Sequence, residues 1–405
     1  MKIAVCTIGS RGDIQPFLVL GNALAQRGHQ VRFATAQMYS SLVARYTVEF
    51  TPFSGDYGTL VDSQEMKRVI GANPFTISKN LKEKVYPIIE NSLETFLEVA
   101  KWADAVVYHP KTLIDAFGSL FPEKLIKAYV VPAFVPTKEF PSPAFSGLPI
   151  PPFLNRVSYK MTNALIGTVK GPIQAFCSKH DLPKKIELLD TLTIYGISPH
   201  FIPKPPDYPE HHHFTGFWFD SSSTELPEQL LQFFTSKKKK LIITFGSMPY
   251  KSKIDINKFI SAILAQMDVR VLLVRGWGLK DIPIAESEEV LAIDSAPFDK
   301  LFPLADAIVH HGGAGTTASA LQAGLPMMIC PVLHPVGDQM FWGRKAHEAG
   351  LGVPPIPLSQ LTLFQFVNSM RQLLGQDFSL ASQRMRDNLA QEDGLAKAVE
   401  IIEQK

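Results

Sequence analysis

The run with the most chemical content is His310-His311-Gly312-Gly313-Ala314-Gly315-Thr316-Thr317, which directly follows an apolar segment. Glycines at 312, 313 and 315 remove the side chains that would hold an anion away from the backbone. A helix opening there presents unpaired N–H groups and a partial positive charge, both suited to phosphate. Thr316 and Thr317 add hydroxyl donors, and His311 can offer a ring N–H. No Gly-Lys-Ser/Thr follows, so the run is not a Walker loop and a diphosphate fits it better. The plainer reading is a strand-to-helix turn that uses glycine only for packing.

A second loop, Gly9-Ser10-Arg11-Gly12-Asp13, lies between the first apolar run and the first helical pattern. It lacks Gly-x-Gly-x-x-Gly, and no acidic residue closes the Val31–Ala34 segment to hold a ribose. Dinucleotide binding is therefore a poor reading.

The elements around these loops alternate between strand and helix. Strands are predicted at Lys2–Ile8, Val31–Ala34, Ala105–Tyr108, Leu241–Phe245, Val269–Val274, near Val290, at Ala307–Val309, and from Pro326. Helices are predicted from Phe17 to Gly28, near Asp255–Gln266, and from Gly315 to Gly324. Pro132–Pro152 holds seven prolines in 21 residues and reads as a long loop lining a cleft. Pro199–Pro209, with five prolines in 11 residues, reads as the approach to an interdomain linker. The pattern predicts a parallel α/β chain with two halves and a cleft between them.

Composition sets the outer limits. At roughly 150 residues per domain, 405 residues make two or three domains. With 46% hydrophobic and 19% charged residues, global disorder is excluded. Forty basic against 38 acidic residues give no electrostatic case for a nucleic-acid partner. Three scattered cysteines exclude a disulfide framework, and the expected location is cytoplasmic.

The segment from Val309 to Val353 resembles the donor-binding signature of inverting, two-domain nucleotide-sugar glycosyltransferases. Its strongest resemblance is to the sterol 3-beta-glucosyltransferase branch. Four further stretches are similar to that branch: Gly9–Pro16, Thr215-Gly216-Phe217-Trp218, Phe245-Gly246-Ser247-Met248-Pro249 and Gly276-Trp277-Gly278. Gly337-Asp338-Gln339-Met340-Phe341-Trp342-Gly343 completes the set, in family order over nearly the whole chain. The resemblance implies two Rossmann-like domains facing across a cleft, the GT-B fold. It places an acceptor-binding domain at residues 1–215, a linker at 216–236 and a nucleotide-sugar domain at 237–385. A C-terminal helix at 386–405 would pack back on the first domain.

The implied activity is transfer of glucose from UDP-glucose, with inversion, to a hydroxyl of a sterol, triterpenoid or similar lipophilic alcohol or phenol. UDP-glucose is then a substrate, and no cofactor is expected. By motif position His311, Gly313, Gly315 and Thr316 hold the diphosphate, with Arg11 facing it from the first half. Asp338 and Gln339 fork onto the sugar hydroxyls, unless Asp338 caps its helix. Ser247 is a donor contact or a turn serine, and Trp277 packs on the nucleotide or in the core. Ser295 and Ala296 meet the base through backbone atoms. Phe298 and Lys300 replace the His and Trp that relatives often carry there, which weakens any preference for uracil over thymine.

Asp13 stands at the position of the catalytic base, with a helix cap as its alternative role. His109 is the second candidate, as base or as partner to Asp13, and His29 reads as a cap. Phe134, Phe140 and Phe145 are expected to line an apolar acceptor pocket. No Asp-x-Asp occurs, so no metal is expected, and His211-His212-His213 reads as an exposed linker triplet. Lys237–Lys240 reads as a solvated rim, leaving peripheral contact with a lipid surface open. The rival reading is a catalytically silent nucleotide-sugar or lipid-binding module on the same fold.

Overall fold

In the computed structural model the apolar runs pair into two all-parallel sheets. It describes residues 1–55, 85–166, 169–183, 189–221, 224–246, 254–276, 279, 282–375 and 378–405. Ser247 and Trp277 lie outside the described residues. The first sheet contains β1 (Lys2–Cys6), β2 (Gln30–Ala36), β3 (Glu49–Phe53), β4 (Ala105–Tyr108), β5 (Leu125–Tyr129), β6 (Thr193–Tyr195) and β7 (His212–Phe214). Their spatial order is β3-β2-β1-β4-β5-β6-β7. The second contains β8 (Lys239–Thr244), β9 (Val269–Val274), β10 (Val290–Ile293), β11 (Ala307–His310) and β12 (Met327–Ile329), ordered β10-β9-β8-β11-β12.

Strands covered on both faces lose their polar alternation and read as continuous apolar runs. Ile3-Ala4-Val5-Cys6 and Leu241-Ile242-Ile243 do so, and all are buried. The edges read differently. β3 carries Pro52, which a sheet tolerates at its margin. β7 corrects the linker reading of the histidine triplet, because His212 is buried and pairs with Thr193 of β6. The second proline-rich stretch is also no linker. Asp207 accepts from Thr137 Oγ1 (2.6 Å) and from the Lys138 N–H (3.0 Å), bracing the first proline-rich loop.

The helices that cover the sheets are α1 (Arg11–Gln26), α2 (Tyr86–Trp102), α3 (Asn155–Ile166), α4 (Lys170–Lys179), α5 (Ile256–Leu264), α6 (Ala314–Ala323), α7 (Gln339–Glu348), α8 (Leu363–Gly375), α9 (Ser379–Ala390) and α10 (Gly394–Glu403). α1 buries Ile14, Phe17, Leu18 and Leu24, an i, i+3, i+4 stripe. α6 stops at Gly324, whose φ of +69° suits a left-handed helix terminus.

α9 packs with the second half, through Met385 and Leu389, whereas α10 returns to the first. Ala398, Val399 and Ile402 of α10 join the core beneath β1 and α1. Glu403 meets Arg27 Nη2 at 2.8 Å and His29 Nε2 at 2.9 Å, so His29 anchors this helix. Asp393 caps α10 by accepting from the Ala396 N–H at 2.9 Å. Asp393→Ala is expected to cost about 1 kcal/mol of stability, read as a lower urea midpoint at unchanged slope.

Candidate functional site

β1 lies between β2 and β4, so the chain leaves β1 toward one side and returns on the other. Such a switch point opens a crevice beyond the carboxyl ends of the strands. The loops after β1 and β4 meet there, carrying Gly9–Asp13 and His109–Lys111. The second sheet repeats the arrangement: β8 lies between β9 and β11, bringing Gly246 beside His311–Gly313.

Ser10 is the N-cap of α1 and Asp13 its third residue. Asp13 Oδ2 accepts from the Ser10 N–H at 2.9 Å and from Ser10 Oγ at 3.0 Å. Its other oxygen, Oδ1, lies 2.6 Å from Lys111 Nζ. Asp13 thus braces the helix start with one oxygen and forms an ion pair with the other. Burial works to raise its pKa, but Lys111, His109 and the Ser10 N–H together hold it below the usual carboxylate range. Lys111 responds in the opposite sense. Desolvation works to lower its pKa, but Asp13, with a smaller contribution from Asp338, holds it above the usual lysine value.

Lys111 is the residue that motif reading missed. The available signal was a lone cation two residues past His109, at the end of a central strand. His109 itself is buried, with ring contacts to Phe17 (5.8 Å), Phe134 (5.9 Å) and Tyr129 (6.1 Å). Burial, then the Lys111 charge, pushes its pKa down to about 3, so the ring is neutral at pH 7. Its Nδ1 accepts from the Lys111 N–H at 3.1 Å. The proton of the neutral ring therefore sits on Nε2, which can donate but has no lone pair to accept.

On the opposite side, Gly313 is the N-cap of α6, and the first backbone bond of that helix runs from the Thr317 N–H to Gly313 O. The N–H groups of Ala314, Gly315 and Thr316 precede that bond and have no hydrogen-bond partner among the described residues, which suits them to an anion. A Cβ on Gly315 would meet nothing within 4 Å, so the approach is open. Thr317 is not a ligand donor, because its hydroxyl donates back to Gly313 O at 2.9 Å. His311 is buried, and its Nδ1 has no hydrogen-bond partner among the described residues. A Cβ on Gly246 would come within 2.8 Å of its Cε1, and one on Gly313 within 2.5 Å of its Nε2. These two glycines seat the imidazole. Burial pushes its pKa down to about 4.

The carboxylate–amide fork is only half present. Asp338 occupies the N-cap position of α7, yet its Oδ2 accepts from the Trp342 indole N–H (2.9 Å) instead of capping the helix. Burial, with Asp13 adding to it, lifts its pKa against the pull of Trp342 and Lys111. Gln339 departs from its expected role: its Oε1 accepts from the Val332 N–H (2.7 Å) and the Leu333 N–H (2.8 Å). Only its NH2 remains to meet a sugar hydroxyl.

Arg11 is exposed and donates to Gln15 Oε1 (2.9 Å), while Gln15 reaches Asp220. Ser295 is exposed and Ala296 half-buried beyond β10, with Phe298 stacked on Phe302 at 4.3 Å. Among the three phenylalanines of the acceptor reading, Phe134 stands beside His109. Phe140 instead packs on Phe341 of α7 at 5.2 Å, and Phe145 is buried in a short turn. The proline-rich loop thereby clasps the second half, where the Gly337 N–H also donates to Ala144 O at 2.8 Å.

Residues 3–110 match the model of the glycosyltransferase family 28 N-terminal domain. Residues 262–404 match that of the erythromycin biosynthesis protein CIII-like C-terminal domain. A sterol 3-beta-glucosyltransferase of Arabidopsis thaliana is 32% identical, the alignment covering 99% of this chain and 68% of the relative. One from Yarrowia lipolytica is 30% identical over 99% of this chain, which spans only 28% of that relative's length. Among solved structures, the glycosyltransferase SnogD from Streptomyces nogalater superposes with a TM-score of 0.67 at 17% identity, covering 99% of this chain and 98% of its own. The glycosyltransferase VinC in complex with DTDP gives 0.67 at 16% identity, with both chains fully covered. At such identities the likeness establishes the shared two-domain fold.

Proposed function

Because the chain belongs to the sterol 3-beta-glucosyltransferase family of glycosyltransferases, we propose that it moves glucose from UDP-glucose to a hydroxyl of a lipophilic acceptor, with inversion. The observation that carries this reading is the Asp13–Lys111 ion pair at 2.6 Å in the first half, with Asp338 of the second half near enough for its charge to act on Lys111. The anion-binding start of α6 supplies the second half of the chemistry.

In this reading the acceptor hydroxyl gives its proton to Asp13 as its oxygen attacks the anomeric carbon. The bond from that carbon to the diphosphate oxygen breaks, and its electron pair leaves with UDP. The N–H groups of Ala314, Gly315 and Thr316, with His311, meet the growing negative charge. Asp338 accepts from a sugar hydroxyl through Oδ1, the oxygen that does not meet Trp342, and the Gln339 NH2 donates to the sugar. Arg11 serves at the rim of the crevice, and Ser295 and Ala296 offer backbone atoms to the base. Ser247 and Trp277 keep their motif-based roles as donor contacts.

His109 is set aside as base, since its free nitrogen carries the proton, and becomes a neutral donor beside the acceptor. Phe134 is the acceptor contact, while Phe140 and Phe145 shape the loop. The reaction is proposed to need no cofactor and no metal. Calorimetric titration with UDP-glucose and TDP-glucose tests the donor assignment. Tighter binding of UDP-glucose supports it, and tighter binding of the thymidine donor overturns it.

Peripheral contact with a membrane surface completes the proposal. Phe153 is 82% exposed, and Leu154, Val157 and Met161 continue an exposed apolar face along α3. From Phe140 to His180 there is no Asp or Glu, whereas Arg156, Lys160, Lys170 and Lys179 are all cationic. An apolar face flanked by cations suits an anionic lipid surface. No helix among the described residues is long and apolar enough to cross a membrane. We expect sedimentation with phosphatidylglycerol-containing vesicles to fall several-fold in a Phe153→Ser/Val157→Ser/Met161→Ser variant. Transfer to a water-soluble phenol should persist in that variant. Equal sedimentation of the two proteins would refute this contact.

A further inference from the structure

Asp190, His211 and His212 meet at the outer edge of the first sheet. His211 Nε2 lies 2.7 Å from Asp190 Oδ1, and His212 Nε2 lies 3.9 Å from the same oxygen. One ligand atom from each residue falls within 4.8 Å of the others. The two imidazoles are 5.0 Å apart and nearly perpendicular.

The orientation of His212 is set from behind. Tyr208 donates its hydroxyl proton to Val135 O at 3.0 Å. The Tyr195 hydroxyl is hydrogen-bonded to His212 Nδ1 at 3.1 Å, which leaves Nε2 as the ring nitrogen that faces Asp190. Tyr195 is fully buried and stacked between Phe214 (4.4 Å) and Tyr129 (5.1 Å), so the His212 ring is held in this orientation.

We propose that Asp190, His211 and His212 form a binding site for a divalent transition ion of the zinc type, separate from the transfer centre. Two imidazoles and one carboxylate are a zinc donor set, and a solvent molecule completes the tetrahedron. Ligand atoms around tetrahedral zinc are about 3.3 Å apart, close to the 2.7 and 3.9 Å found here. Tyr195 is the outer hydrogen-bond partner that fixes a histidine ligand's tautomer. The Asp190 and His211 side chains are 72% and 40% exposed, so an ion enters directly from solvent. Bound there, it ties the chain before β6 to the edge strand β7. Through Tyr195 and Tyr208 it also supports the loop that carries Phe134.

The test uses full-length protein without an affinity tag, stripped with EDTA, dialysed and titrated calorimetrically with zinc chloride. One saturable equivalent is expected, together with a rise in melting temperature. Asp190→Asn and His211→Ala alter exposed side chains, so folding is spared, and each should weaken binding about tenfold or more. Tyr195→Phe keeps all three ligands yet should still weaken binding about tenfold. An effect of that size sets this site apart from two surface histidines that share an ion. Cobalt bound at the same place should show the visible bands of a four-coordinate ion. Absence of saturable binding would overturn the proposal, as would equal affinity in parent, Asp190→Asn and His211→Ala.

Discussion

Asp13→Asn is expected to lower turnover by about a thousandfold, with UDP-glucose affinity within about threefold of the parent. Asparagine can still accept from the Ser10 N–H, so the start of α1 survives, but it cannot take the acceptor's proton. Steady-state rates and calorimetric donor titration separate the two effects. Near-normal turnover would reduce Asp13 to a helix brace. The pH profile follows from the ion pair. Because the Asp13 pKa is depressed, the carboxylate stays ionised through the usual carboxylate range and is lost only as pH falls below it. Removing the cation by Lys111→Met raises that pKa, so the acidic limb of the rate profile should move upward. An unmoved limb would mean that Lys111 does not govern the base.

His311→Ala is expected to weaken UDP-glucose binding by about 10- to 100-fold, the scale of one hydrogen bond to a charged group. His311 Nδ1 has no hydrogen-bond partner among the described residues, so the fold should lose little. Calorimetry at matched salt, with a melting curve as control, reads both quantities. A large fall in melting temperature with unchanged donor affinity would make His311 a packing residue.

The central strands were legible because burial on both faces leaves an unbroken apolar run, as in β1, β4, β8 and β11. β6 and the edge strand β7 were not, because each is only three residues long, Thr-Ile-Tyr and His-His-Phe, too short to carry such a signature. The glycine loops could be read because Gly246 and Gly312 have positive φ and sit against bulky neighbours. What each polar atom does was less accessible. Thr317 and the Gln339 oxygen look like ligand contacts in sequence, yet both serve the backbone. Lys111 acquires meaning only when Cys6 pairs with Tyr108, bringing residues 98 positions apart into one ion pair. Phe140 could not be told from a pocket residue until α7 was placed against it.

The most direct measurement of the central claim is incubation with UDP-glucose and a sterol, in EDTA, followed by mass and anomeric analysis of the product. We expect a product heavier by one hexose and linked through a β-anomeric bond, the outcome of a single displacement on an α-linked donor. An α-linked product would contradict the assignment of Asp13 as an inverting base. Tight UDP-glucose binding with no product from sterols, triterpenoids or phenols would mark the chain as a silent nucleotide-sugar module.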